Sequence, residues 1–435
     1  MSRFHIHTFG CQMNEYDSER VAGLLIADGW ERTETPEEAD LLIINTCSVR
    51  EKPLQKVFSY AGRFAPEKKK RPLRIFVMGC VAQQLGAEVI ERAPAIDGVF
   101  GPGQEAQIPA AAAGETFPVV LNNTAALTDR ELFPAAYDTL WQGSLSAPVT
   151  VMHGCDNHCS YCIVPSVRGG EVSRSAAEIL REIAALSARG LREVTLLGQN
   201  VNSYRDPDEG LDFTGLLYRV AERTTLDRLR FVTSHPRDFT RPLAEAFARI
   251  PALMPYLHLP AQAGSDRILS LMNRGYTAAQ YIEKMAMARE LCPDISLSGD
   301  FIVGFPGETA EEFAATLELI ETVRYDTLFA FVYSPRPGTK AAKLAETLSD
   351  AEKLERLNRL LAAQKTIMGT TRRRFLGREV RVLVESRSPR GDSVMGRSEH
   401  NQIVHVSGAD ISAVGRIVPV RVTEILENTL RGIAI

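Results

Sequence analysis

No stretch of this 435-residue chain approaches the run of about 18 apolar residues that a membrane-spanning helix needs. The opening residues, Met1 to His7, lack the apolar core of a secretory signal peptide. Low-complexity segments are missing too, and no repeat exceeds a strand–helix period. Together these absences exclude membrane-spanning and fibrous classes and predict a cytoplasmic globular protein with no membrane partner; a monomer is the expectation, though no residue pattern speaks to it. An even set of cysteines is also lacking. Seven in a chain this long argue against a disulfide framework and towards metal or redox chemistry. Hydrophobic residues make up 45%, enough for a sizeable core, and the length predicts two or three domains.

The net charge of −4 conceals an asymmetry. Residues 371–435 contain no lysine, but 11 arginines against 7 acidic residues. A small basic module on an acidic body implies a local anion-binding surface.

Short apolar runs at Phe4–Thr8, Leu41–Ile44 and Arg74–Met78 read as strands, separated by helical patterns. Asn14 is placed to cap a helix closed by Gly29, and a second helix is expected over Glu51–Phe64. This predicts a parallel, Rossmann-like α/β domain over residues 1–118. Periodicity fades in 119–147, which reads as a linker. Over 148–370 six strand–helix units follow, a partial barrel short of the eight of a closed one. Its strands read as Pro148–Met152, Glu193–Leu197, Leu229–Thr233, Tyr256–Leu259, Ser296–Val303 and Thr327–Tyr333. Ser175 with Glu178 and Thr309 with Glu312 read as capping boxes. Five short strands in 371–435 predict a small antiparallel, OB-like barrel.

Cys155, Cys159 and Cys162, spaced C-x₃-C-x₂-C, follow the first barrel strand. Three thiolates within eight residues can wrap one iron–sulfur cluster and leave one iron without a protein ligand. A structural zinc site wants four closed ligands, and no fourth Cys or His completes the set at the usual spacing. Cys11, Cys47 and Cys80 are announced by topology instead. Each lies just past a predicted strand, and in a parallel sheet all such ends share one edge. Three thiols therefore converge on one rim, suited to a second cluster. Core packing is the alternative for any one of them alone. Cys292 has no such partners.

The motif Cys155-Asp-Asn-His-Cys159-Ser-Tyr-Cys162 resembles that of radical S-adenosylmethionine (SAM) enzymes, including the aromatic Tyr161. The resemblance implies a 4Fe-4S cluster whose open iron chelates SAM, and an electron donor such as flavodoxin or ferredoxin. Gly169-Gly170-Glu171 resembles the stretch that accepts hydrogen bonds from the methionine amine. Asp300 to Glu308, including Gly304, resembles the segment lying along adenine and ribose. Arg174, Ser234, Gln262 and Asp300 are further expected SAM contacts.

The segments Thr8–Glu19, Asn45–Lys52 and Gly79–Ala82 resemble the N-terminal domain of methylthiotransferases. Gln12-Met13 and Ser48-Val-Arg-Glu-Lys52 favour the branch acting on tRNA with an isopentenylated adenosine 37. Branches acting on threonylcarbamoyladenosine or on a ribosomal-protein aspartate carry other residues there. The resemblance covers nearly the whole chain and implies two 4Fe-4S clusters, two SAM per turnover and methylthiolation of adenine C2. Adenine C2–H is unactivated, which suits radical rather than acid–base chemistry. An RNA-binding iron–sulfur sensor without turnover is the reading from another class. The chain departs from the family at Ala261 and Ala263, where Val and Ser are more usual. The C-terminal module resembles a TRAM domain, with Arg372, Arg373, Arg374, Arg378, Arg381 and Arg397 as expected RNA contacts. Phe375 is its one aromatic ring of the Phe, Tyr or Trp kind, so phosphate contact is expected rather than base readout.

Overall fold

The computed structural model describes residues 2–48, 51–114, 119–121, 141, 143–388 and 393–435, with backbone only for 51–54. Six parallel strands form the first layer: β1 (Arg3–Phe9), β2 (Glu31–Arg32), β3 (Leu41–Thr46), β4 (Arg74–Gly79), β5 (Gly98–Phe100) and β6 (Val119–Val120). Their order is β2-β1-β3-β4-β5-β6. In β3 every residue is buried, because helices cover both faces. Leu42 and Ile44 enter one core cluster while Leu41 and Ile43 enter the other, as strand alternation requires. β2, β5 and β6 have two or three residues each, too few to leave a periodic signal.

Helix α1 (Gln12–Ala27) starts earlier than its sequence implies, with Cys11 as N-cap. Asn14 is therefore not the cap. It lies inside the first turn, fully buried, accepting from the Cys11 N–H (3.4 Å) and donating to Asn45 Oδ1 (2.9 Å). Helix α2 (Glu51–Lys68) runs one turn past the predicted end. A short helix, α3 (Cys80–Leu85), follows β4 directly.

The second unit places six parallel strands as two groups of three. One contains β7 (Ser146–Thr150), β10 (Glu193–Leu197) and β11 (Arg228–Phe231); the other β12 (Tyr256–His258), β13 (Ser296–Val303) and β14 (Thr327–Val332). A lone bridge, Leu229–Leu253, stands near the seam. The predicted strand count holds, but the wall is hydrogen-bonded in halves. One continuous core from Ala147 to Ile367 fills it. Thr309 and Glu312 close a full capping box, and at Ser175 the hydroxyl accepts from Glu178 N–H. The short strands β8 (Met152–His153) and β9 (Val172–Ser173) pair antiparallel beside the cysteine loop, with the five-residue helix α4 (Val164–Arg168) between them in the chain.

Helix α5 (Asp350–Thr371) leads into a closed five-stranded barrel. Its strands are β15 (Glu379–Arg387), β16 (Val394–Ser398), β17 (Ile403–Ser407), β18 (Ile417–Ile425) and β19 (Leu430–Ala434), ordered β15-β16-β17-β19-β18. The expectation of a wholly antiparallel barrel is corrected at one pair: β17 and β19 are parallel. A closed ring with an odd number of strands cannot alternate direction throughout. The predicted linker, 119–147, lies mostly outside the described residues.

Candidate functional site

Each cysteine of the first triad ends a strand of the N-terminal sheet. Cys11 follows β1, Cys47 follows β3, and Cys80 follows β4 as the first residue of α3. Gly79 makes the turn at φ +92, where a Cβ would stand 2.4 Å from Asn45 Oδ1. The loop carrying Cys155, Cys159 and Cys162 leaves β8 and ends in α4. Gly154, at φ +77, allows it to close against the Gly-Gly-Glu stretch: a Cβ there would fall 1.8 Å from the Gly170 carbonyl oxygen. Cys155 N–H donates to the Gly169 carbonyl at 3.0 Å.

All six cysteines line one cavity of about 600 Å³. Helix α1 seals the N-terminal layer against the barrel through buried polar bonds. Arg168 donates to Asp17 at 2.6 Å, and Tyr16 Oη donates to Glu182 at 3.1 Å. Both triads thus open into one space, although their closest cysteines are 75 positions apart in the chain. Cys292 caps the helix Ala278–Leu291 and is not part of this wall.

The thiols differ electrostatically. A hydrogen bond with Cys47 lowers Cys11 to about 6, burial opposes this, and Arg168 assists. Burial raises Cys80, with Arg168 pulling the other way. Burial pushes Cys155 up to about 11 and Cys162 up to about 12. Such thiols become thiolates when a cation is bound, which is what cluster iron supplies. Among the described residues no group of three His, Cys, Asp or Glu side chains is arranged to hold a single metal ion.

Of the expected SAM contacts, Tyr161, Ser234, Gln262 and Asp300 line the cavity. Ser234 Oγ is buried without a hydrogen-bond partner among the described residues, and Gln262 is held at φ +75 by backbone bonds to Asp300 and Ile302. A buried unsatisfied hydroxyl and a strained wall residue fit a polar ligand. Gly169, Gly170 and Glu171 brace the cysteine loop without lining the cavity; burial raises the Glu171 carboxyl. Arg174 lies apart from that wall. Its side chain is fully buried outside the cavity and donates to Glu182, Tyr16 Oη and the Thr150 carbonyl. A guanidinium that deep must be paired, and Glu182 pairs it. Gly304 is likewise a turn residue, its N–H on Glu308 at 2.8 Å. Ala261 and Ala263 are fully buried and absent from the cavity wall, so the departure there removes no wall contact.

Several wall residues carried no sequence signal: Lys56, Thr233, His235, His258 and Arg274. Burial and the neighbouring Arg274 and Arg237 lower His235 to about 2, so it is neutral. Arg168, six residues after Cys162, could have been flagged by position; Arg274, 112 residues on, could not.

The C-terminal barrel docks at the opposite end, on the starts of the barrel strands. Arg374 donates to Ser296 at 2.7 Å and pairs with Asp326; Arg378 forks onto Asp294; Arg372 donates to the Glu427 carbonyl. Arg372 and Arg374 are thus held by the protein's own acceptors, whereas Arg378 stays exposed beside Asp294, as Arg397 does beside Glu385. Arg373, Arg381 and Arg397 are exposed.

Residues 3–101 match the uncharacterized protein family UPF0004, 149–320 match the radical SAM superfamily, and 373–435 match the TRAM domain. Among solved structures, the radical SAM methyltransferase TsrM from Kitasatospora setae is similar at TM-score 0.58 and 16% identity, covering 79% of this chain and 77% of that one. The cobalamin-dependent radical SAM enzyme OxsB is similar at TM-score 0.53 and 13% identity, covering 85% and 56%. These two likenesses bear on the fold alone. The class is therefore a radical SAM barrel flanked by an α/β domain and a TRAM domain. Relatives named tRNA-2-methylthio-N(6)-dimethylallyladenosine synthase are 49% identical in Geobacter metallireducens (98% of this chain, 97% of that protein) and 44% identical in Polynucleobacter asymbioticus (99% and 98%). The chain belongs to that family of synthases.

Proposed function

We propose that the protein is a transferase that attaches a methylthio group to adenine C2 of N6-isopentenyladenosine at position 37 of tRNA, beside the anticodon. The observation that carries this is the single cavity walled by both cysteine triads. Cys155, Cys159 and Cys162 would hold one 4Fe-4S cluster, and Cys11, Cys47 and Cys80 the other. Bound there, the clusters and two SAM per product supply the methyl group and the radical that an unactivated C–H bond demands.

The chain's own residues hold and shield. Ser234, Gln262 and Asp300 offer polar atoms to SAM on the wall. Phe9, Met13, Val164 and Val167 keep the same wall dry. Residues 1–118 carry the second cluster, 148–370 the SAM site, and 371–435 grip RNA backbone through Arg373, Arg381 and Arg397. Because this last domain docks away from the cavity, its contacts position the tRNA without reading the target base. We place the protein in the cytoplasm as a monomer, reduced by a flavodoxin or ferredoxin. Mass spectrometry of tRNA nucleosides tests the reading. Deleting the gene should abolish 2-methylthio-N6-isopentenyladenosine and accumulate its unthiolated precursor; unchanged nucleosides would overturn it.

A further inference from the structure

Two buried arginines stand beside the two triads, and their surroundings differ. Arg168 reaches Cys80 and Cys11, but it is already paired with Asp17 at 2.6 Å. Arg274, 4% exposed, donates to Cys159 Sγ at 3.3 Å, Tyr161 Oη at 3.4 Å, Tyr276 Oη at 2.9 Å and the Pro260 carbonyl at 3.1 Å. Among the described residues no carboxylate pairs with Arg274. All its partners are neutral except the one that becomes a thiolate when metal binds.

A cluster taking up one electron gains one negative charge. Net charge, hydrogen bonds to its sulfurs and burial set how favourable that is. A lone cation in contact with a ligand sulfur stabilises the reduced form, and does so strongly where water is excluded. An ion pair at the same distance contributes much less, because its two charges oppose.

We propose that Arg274 is a positioning residue whose unpaired charge raises the reduction potential of the cluster proposed for Cys155, Cys159 and Cys162, while the Asp17 partner of Arg168 withholds that effect from the Cys11, Cys47 and Cys80 site. This makes the SAM-side site the preferred acceptor of the single electron delivered by a one-electron reductant. No bond forms or breaks and no proton moves in that step. The proposal rests on the two-cluster reading above, and the test separates the two.

The experiment uses the full chain, reconstituted with iron and sulfide, and a redox titration followed by electron paramagnetic resonance. A background with Cys11, Cys47 and Cys80 all changed to Ala isolates the SAM-side cluster. If that background binds no iron, the two-cluster reading fails before Arg274 is touched. If it binds a cluster, Arg274→Gln should lower its midpoint potential at unchanged iron content, and Arg274→Lys should restore most of the shift. An unchanged potential in Arg274→Gln overturns the proposal. Loss of iron in both Arg274 variants, with the fold intact by circular dichroism, assigns Arg274 a structural role and overturns it as well. As the reciprocal arm, Asp17→Asn in a Cys155→Ala, Cys159→Ala, Cys162→Ala background should raise the potential of the other cluster; no rise counts against the shielding role of Asp17.

Discussion

Arg168 Nη2 donates to Asp17 Oδ2 across 2.6 Å, with both side chains only 3% and 4% exposed. The pair joins α4, at the end of the barrel's cysteine loop, to α1, whose N-cap is Cys11. Burial works against the Arg168 charge, and Asp17, Cys80 and Cys11 outweigh it. Breaking a buried pair by removing one partner typically costs about 3–5 kcal/mol, because the survivor is left buried and charged. Asp17→Asn should therefore lower the denaturation midpoint markedly. Adding Arg168→Met to it should recover part of that loss. A double variant no more stable than the single one would show that the pair is not coupled in this way.

The triads should separate by product. Changing Cys155, Cys159 or Cys162 to Ala should abolish both 5′-deoxyadenosine formation and methylthiolation. Changing Cys11, Cys47 or Cys80 to Ala should leave 5′-deoxyadenosine in place and remove the methylthio product. Chromatography of SAM-derived products with nucleoside analysis reads both. Normal methylthio product from any of the six variants would contradict the cluster assignment.

Gly154→Ala probes the same loop through its backbone. The added Cβ would collide with the Gly170 carbonyl at 1.8 Å, and φ +77 disfavours any side chain. The variant should bind about half the wild-type iron, losing the SAM-side cluster and keeping the other. Full iron content would show that the loop yields more readily than its packing indicates.

The C-terminal arginines should divide into two groups. Ala at Arg373, Arg381 or Arg397 should weaken tRNA binding and reduce the salt slope of log Kd by about 1 for each phosphate no longer neutralised. Ala at Arg374 or Arg378 should lower stability first, since Asp326, Ser296 and Asp294 lose their donors. Filter binding across a salt series, beside thermal melts, distinguishes the groups.

Acid should loosen the docked C-terminal barrel. At Asp294 burial raises the carboxyl, but His400 and Arg378 together hold it well below the ordinary range. A depressed carboxyl contributes stability that is full above its unfolded value, near 4, and is lost as pH falls through the folded one. Wild type should thus lose stability below about pH 4 more steeply than Asp294→Asn. Equal slopes in urea melts at pH 6 and pH 3 would refute this contribution.

The sequence by itself determined the strands that matter most, because β1, β3, β4 and the six barrel strands are long or apolar enough to carry a period. It also determined the tight cysteine loop, whose three thiols are local in the chain, and the C-terminal strands, whose residues alternate. The tertiary structure alone decided what those parts do to one another. Arg274 meets Cys159 across 115 positions, and Arg168 meets Asp17 across 151. No periodicity encodes such meetings: the first follows from how the barrel folds over its cysteine loop, the second from how α1 packs on the barrel. The same reason hides the partners of Arg174, Arg372, Arg374 and Arg378, which look in sequence like free cations. Only the fold shows the carboxylates and carbonyls already waiting for them.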